Sequence, residues 1–203
     1  MLRGVFIGRL PTHFQINPLI RVYITAETIL FSAYNAVVPI FAVFVTNNIS
    51  GGSVEIAASS YSTYLIFRVL FEIVSGMKIA KVSDRTKIVL TMTGISIVSI
   101  SYIGFALSTT IWMIFIFFAV MGVGLGIASP AKNSLFSTHL DKHRESTEWA
   151  MLDAAVFTGM ALSASLGGFI AMRYGFPLLF YVVAGITALS LIPYGAYLSS
   201  SKT

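Results

Sequence analysis

The chain has no cysteine among its 203 residues. No disulfide framework, thiol nucleophile or cysteine-based zinc site can be built from it. Charge is also scarce: 10% of the residues are Asp, Glu, Lys or Arg, against roughly 25% in ordinary soluble domains. A soluble protein of this size must cover its surface with polar groups, and this chain lacks them. Histidine is confined to His13, His139 and His143, all outside the apolar runs. That argues against an intramembrane serine protease, which would need its histidine within the membrane. Asp84, Asp141 and Asp153 lie too far apart in sequence for the metal-binding cluster of a head-group transferase. No enzyme activity and no cofactor is expected. The N-terminal MLRGVFIGRLPTHFQ is basic but has no adequate apolar core and no small-residue cleavage site. It does not read as a secretory signal, and residues 1–18 are taken as a basic tail.

What remains is apolar. The chain is 56% hydrophobic, with mean hydropathy +0.85, and reads as a polytopic membrane protein. A helix needs about 20 mostly apolar residues to cross the hydrocarbon core. Six segments are expected to do so, at about 20–46, 54–77, 88–108, 111–131, 148–172 and 175–198. They form one all-α domain over 19–199, without a linker or low-complexity stretch to divide it. Transmembrane strands are excluded, because a barrel requires alternating polar residues.

The basic residues between these runs are one-sided. Arg3, Arg9, Arg21, Lys78, Lys81, Arg85, Lys87, Lys132, Lys142, Arg144 and Lys202 fall on one side of a six-span chain, and Arg173 alone on the other. Positive loops are retained in the cytoplasm, so both termini are expected inside. The expected location is a bacterial cytoplasmic membrane, with the lipid bilayer as the main partner. The net charge of +5 therefore does not indicate nucleic acid, since the basic loops lack interleaved aromatics. Asn48-Ile49-Ser50 falls on the outer side and forms a glycosylation sequon, best read as a chance occurrence.

Four charges lie inside spans: Glu27, Arg68, Glu72 and Asp153. Each costs at least ~2.5–3.5 kcal/mol at the bilayer centre, so each needs a partner or water. Arg68 and Glu72 are four residues apart and share a helix face. Tyr61, Tyr64 and Ser75 fall near the same face. At ~1.5 Å rise per residue, all four charges occupy the cytoplasmic half. Glu27 shares its face with Phe31, Tyr34 and Val38, with Asn35 beside it. One reading is structural: Arg68 and Glu72 neutralise each other, and Asp153 sits at the headgroups. The other makes Glu27, Tyr34, Asn35, Tyr61, Tyr64, Arg68, Glu72 and Asp153 a hydrated pathway for solute or protons.

Small residues recur at helical spacing. Gly122, Gly124 and Gly126 precede Pro130 in the fourth span, and Gly159, Ser163 and Gly167 follow one another every four residues in the fifth. Such spacing lets helices approach closely. Pro39 and Pro193 are expected to kink the first and last spans. The loop segment DKHRESTEW is dense in His, Asp and Glu, but it reads as a solvated amphipathic loop rather than a metal site, with Trp149 at the membrane interface.

Three of these stretches resemble the major facilitator superfamily of transporters. AKVSDRTKIV, from Ala80 to Val89, resembles its loop motif G-x-L-a-D-r-x-G-r-k: Asp84 and Arg85 match, while Ala80 and Lys87 replace the two glycines. GMALSASLGG resembles the antiporter motif g-x-x-x-G-P-x-x-G-G: Gly159, Gly167 and Gly168 match, and Ser163 and Ala164 stand in place of Gly-Pro. YGFPLLF, from Tyr174 to Phe180, looks like the usual lead-in to the sixth helix. The motif arginine of the fourth helix is missing, since no basic residue occurs between Lys87 and Lys132. The resemblance implies a secondary transporter of a small solute, with Asp84 and Arg85 in a cytoplasmic gate. Members of that family pair two six-helix halves around the substrate site. This chain supplies one half, so the resemblance implies either a parallel homodimer or a missing second half. A non-transporting membrane scaffold or relic is the alternative.

Overall fold

The computed structural model describes residues 16–79 and 81–200. Most of the basic tail, Ala80 of the loop motif and Lys202 lie outside the described residues. The described chain is almost wholly helical: α1 (Pro18–Val37), α2 (Phe41–Asn48), α3 (Val54–Ile79), α4 (Asp84–Leu107), α5 (Ile111–His139), α6 (Glu145–Tyr174), α7 (Phe176–Leu189) and α8 (Ile192–Ser200). A short 3-10 turn, Val38–Ile40, joins α1 to α2 as one span, and α7 and α8 together form another.

Five of the six spans are long and apolar enough to cross a membrane. The exception is α3. Its 26 residues give ~39 Å of helix, ample for a bilayer. It falls short in apolarity because it carries Arg68, Glu72 and a hydroxyl-rich start, Ser59 to Thr63. The polar stripe itself keeps α3 below the apolarity of the other five.

Local chemistry sets the helix ends. Asn17 caps α1 by accepting the Leu19 N–H at 2.9 Å, with Pro18 in the first turn. Ser83 caps α4 by accepting the Thr86 N–H at 3.3 Å. Both are side-chain caps that satisfy otherwise orphaned N–H groups. Gly175 ends α6 at φ +89°, a left-handed conformation suited to glycine, and Pro177 opens α7. Pro39 lies in the 3-10 turn and Pro193 at the start of α8, so both prolines do interrupt their spans.

Pro130 behaves differently, because α5 runs straight through it. A proline has no N–H to give to the carbonyl four residues back, which here belongs to Gly126. The Ser75 hydroxyl from α3 reaches that carbonyl at 2.6 Å, sharing its proton with Phe71 O of its own helix. One polar side chain thus meets the backbone acceptor that proline releases.

The glycines explain how α3 lies so near α5. A Cβ on Gly122 would sit 2.5 Å from Tyr64 O, and one on Gly126 would sit 2.6 Å from Phe71 Cβ. On the other side, Gly159 abuts Ser32 and Gly167 abuts the Ala36 carbonyl, bringing α6 onto α1. Gly168, the last motif glycine, has open space where its Cβ would be, with nothing within 4 Å among the described residues. Ser163 turns its hydroxyl back to Met160 O at 3.0 Å within α6.

The helices form an arc in the order α3, α5, α4, α7, α1, α6. One end is filled by Phe41, Phe44, Phe105, Phe118 and Phe180, with the Phe41 and Phe118 rings 4.8 Å apart. The other end is filled by Leu19, Leu30, Ile88, Leu135 and Tyr194. The loops alternate between ends. Ser50 bridges to Thr109 and Thr110 at one end. At the opposite end Asp84 contacts His139 at 3.3 Å, and Asn17 donates to the His139 carbonyl at 3.5 Å.

Candidate functional site

Where α1 and α5 meet only lightly, a two-lobed cavity opens among α1, α3, α4 and α5. The outer lobe, about 300 Å³, is walled by Phe41, Phe105, Phe118 and Met121. The inner lobe, about 100 Å³, is lined by Tyr64, Arg68, Ser129 and Lys132. Tyr34, Tyr61 and Tyr102 border both. The Tyr34 and Tyr61 hydroxyls stand 3.3 Å apart, forming a polar collar between an apolar room and a charged one.

The α3 stripe supplies the first charge of the inner lobe. Arg68 Nη1 donates to the Tyr64 hydroxyl at 2.8 Å, its Nε to Glu72 Oε2 at 3.3 Å, and its Nη2 reaches Ser129 Oγ at 3.5 Å. Spacing of four residues on one helix makes both in-helix contacts possible. The pair is not sealed off, for the Arg68 and Glu72 side chains are 35% and 38% exposed.

The second charge is Lys132 of α5. Its Nζ is bonded to Glu27 Oε2 of α1, and the two side chains are only 5% and 3% exposed. This partner was not anticipated for Glu27. Residue 132 falls just past the apolar run ending at 131 and reads from sequence as part of the following loop, whereas α5 continues to His139 and carries it inside. A signal was available: a buried carboxylate in α1 demands a cation, and Lys132 is the first basic residue after Lys87. Glu27 is thus paired with Lys132 and not with Arg68 or Glu72. Its Oε1 is buried without a hydrogen-bond partner among the described residues, as is the hydroxyl of Tyr194. Tyr23 of α1, one turn before Glu27, donates to Asn133 Oδ1 at 3.0 Å and ties the same two helices.

Of the other expected pathway residues, Tyr34, Tyr61 and Tyr64 do reach the cavity, together with Arg68. Asn35 points away. Its amide donates to Met160 O at 2.9 Å and ties α1 to α6, because residue 35 lies about 100° around the helix from Tyr34. Asp153 is exposed on α6, with no hydrogen bond or ion pair among the described residues, and does not join the cavity. Tyr102, which does line it, was missed; its flanking run on α4 carries no charge to mark it.

The loop motif sits at the far end. Asp84 Oδ1 accepts from Lys87 Nζ at 3.3 Å and its Oδ2 faces His139 Nε2. Lys87, which replaces a motif glycine, is buried there. Arg85 is exposed and unbonded among the described residues. Nearby, Glu148 is buried and accepts the Asp141 N–H at 3.1 Å, fastening the loop to the start of α6.

A family model, that of the Major Facilitator Superfamily, matches residues 24–202. The chain belongs to the major facilitator superfamily. No curated protein matches it significantly. Membership makes this an integral multi-pass membrane protein of transporter type, and the α3 deficit in apolarity is then a feature of a span. In superfamily terms the arc is one helical bundle, and its cavity lies inside that bundle.

Proposed function

We propose that this chain moves a small solute across the membrane by alternating access, as a parallel homodimer or as one half of a larger transporter. The observation that carries the reading is the cavity with Arg68 and Lys132 on its inner wall. A cation inside an apolar span is expensive unless it serves a pathway or a partner. Residues 19–199 act as one transmembrane domain behind a basic tail at 1–18. The positive-inside bias orients both termini toward the cytoplasm of a bacterial-type inner membrane. Asp84 and Arg85 belong to a cytoplasmic gate that forms and breaks as the bundle rocks. The in-span ion pairs hold the inner half of the bundle, and Glu72, exposed beside Arg68, is the group through which protons couple to movement.

The test is reconstitution of the purified chain into liposomes, with solute and proton flux measured together. Saturable, protein-dependent flux that Arg68→Gln abolishes is the expected result. A folded, correctly oriented chain with no flux of any solute would return the protein to a scaffold role.

A further inference from the structure

The inner lobe has a polarity that the pairing of its charges conceals. Arg68 and Lys132 line it, while their partners Glu72 and Glu27 do not. Each ion pair therefore contributes its cationic residue, and not its carboxylate residue, to the cavity lining. In an apolar interior the nearer charge dominates the field, because Coulomb energy falls with distance and is weakly screened. Hydrogen-bond capacity points the same way. Arg68 has five N–H donors, and its contacts to Tyr64, Glu72 and Ser129 leave others available. The Tyr64 hydroxyl accepts from Arg68 and keeps its own proton to donate.

The outer lobe sets the other half of the recognition. Its wall is aromatic and carries no charged side chain. Taken alone, such a room would suit an organic cation, held against ring faces. Beneath the tyrosine collar, however, stand two cations, and a positively charged head would meet them.

We infer that the site takes a small amphipathic monoanion, with a single carboxylate-like head at Arg68, Ser129 and Lys132 and an aromatic or aliphatic body among Phe41, Phe105 and Phe118. The inference rests on the reading of this cavity as the transport site, and it names the substrate class.

The experiment is equilibrium binding to the full chain in lipid nanodiscs, by titration calorimetry at neutral pH. Three probes share one body and differ in head: 4-phenylbutyrate, 4-phenylbutylammonium and 4-phenylbutanol. Saturable binding of the butyrate alone is expected. Arg68→Gln should weaken it roughly ten- to hundredfold, the scale of one lost charge-assisted hydrogen bond. Phe118→Ala should weaken it at the body end, and Arg68→Lys should recover part of the loss. Should Arg68→Gln not fold, Tyr64→Phe and Ser129→Ala probe the same lobe. Equal binding of the ammonium or the alcohol, no binding of any probe by folded protein, or butyrate binding indifferent to these variants would each overturn the anion class. Flux in proteoliposomes separates the two ideas. Selective butyrate binding without flux keeps the anion site and removes transport; flux of the ammonium keeps transport and removes the anion site.

Discussion

Lys132 and Glu27 form the most enclosed charged contact described, joining α5 to α1 deep in the bundle. A buried pair adds little net stability over an apolar pair of the same shape, yet removing one partner strands the other's charge. Lys132→Ala should therefore lower unfolding free energy by about 3–5 kcal/mol, whereas the double change Glu27→Gln with Lys132→Gln should lose much less. Denaturant unfolding in detergent micelles measures both, and similar losses would contradict a buried, mutually dependent pair. Arg68 and Glu72 differ because their side chains are 35% and 38% exposed. Glu72→Gln should shift stability by no more than about 1 kcal/mol. It should also tighten 4-phenylbutyrate binding, since Arg68 loses its competing carboxylate. If Glu27→Gln and Glu72→Gln chains both carry solute and protons as the parent does at every pH, the proton role fails.

Between elements, α3 and α5 show how a helix accommodates proline and charge together. Pro130 frees the Gly126 carbonyl, Gly126 has no side chain to block it, and Ser75 reaches it at 2.6 Å. Ser75→Ala should cost about 0.5–1.5 kcal/mol. The cost should shrink when Pro130→Ala restores the helix's own N–H, a coupling that a double-mutant cycle reads directly. The glycines divide by what surrounds them. Gly126→Val should destabilise by about 1–3 kcal/mol or more through overpacking, since Phe71 and the Arg68 carbonyl stand within 2.8 Å of the new Cβ. At Gly168 nothing lies within 4 Å, so Gly168→Ala should stabilise α6 by roughly 0.5–1 kcal/mol. Thermal unfolding of the two variants should move in opposite directions.

For the whole molecule, the two ends of the arc are distinct. Ser50, Thr109 and Thr110 mark one, while Asn17, Asp84 and His139 mark the other. The basic residues Lys78, in the last turn of α3, and Lys81, in the turn after it, accompany the second group in sequence. A chain without cysteine offers a clean background for labelling. In oriented vesicles, Asn48→Cys should react with an impermeant maleimide only from the outer face, and Ser83→Cys only from the cytoplasmic face. Labelling of both from one face would break the alternation of spans. The arc ends at α3 and α6, where a second bundle or second copy would complete the ring. Crosslinking in membranes from residue 153, exposed on α6, reports whether such a neighbour is present.

The sequence alone determined the class of protein, since scarce charge and long apolar runs leave the chain no stable state in water. It also settled the polar stripe of α3, because residues four apart must share a helix face, and the breaks at Pro39 and Pro193, because proline chemistry is local. Other matters depended on which helices lie together. The partner of Glu27 is 105 residues away, and its choice required α5 to run on through Lys132. The split of Tyr34 into the cavity and Asn35 into the α6 contact, and the difference between Gly167 and Gly168, turned on one residue's rotation about a helix. Hydrophobicity fixes that a helix is in the membrane, but neighbouring backbones decide which way each side chain faces. Only the assembled bundle could bring Arg68 and Lys132 to one cavity whose lining omits Glu27 and Glu72.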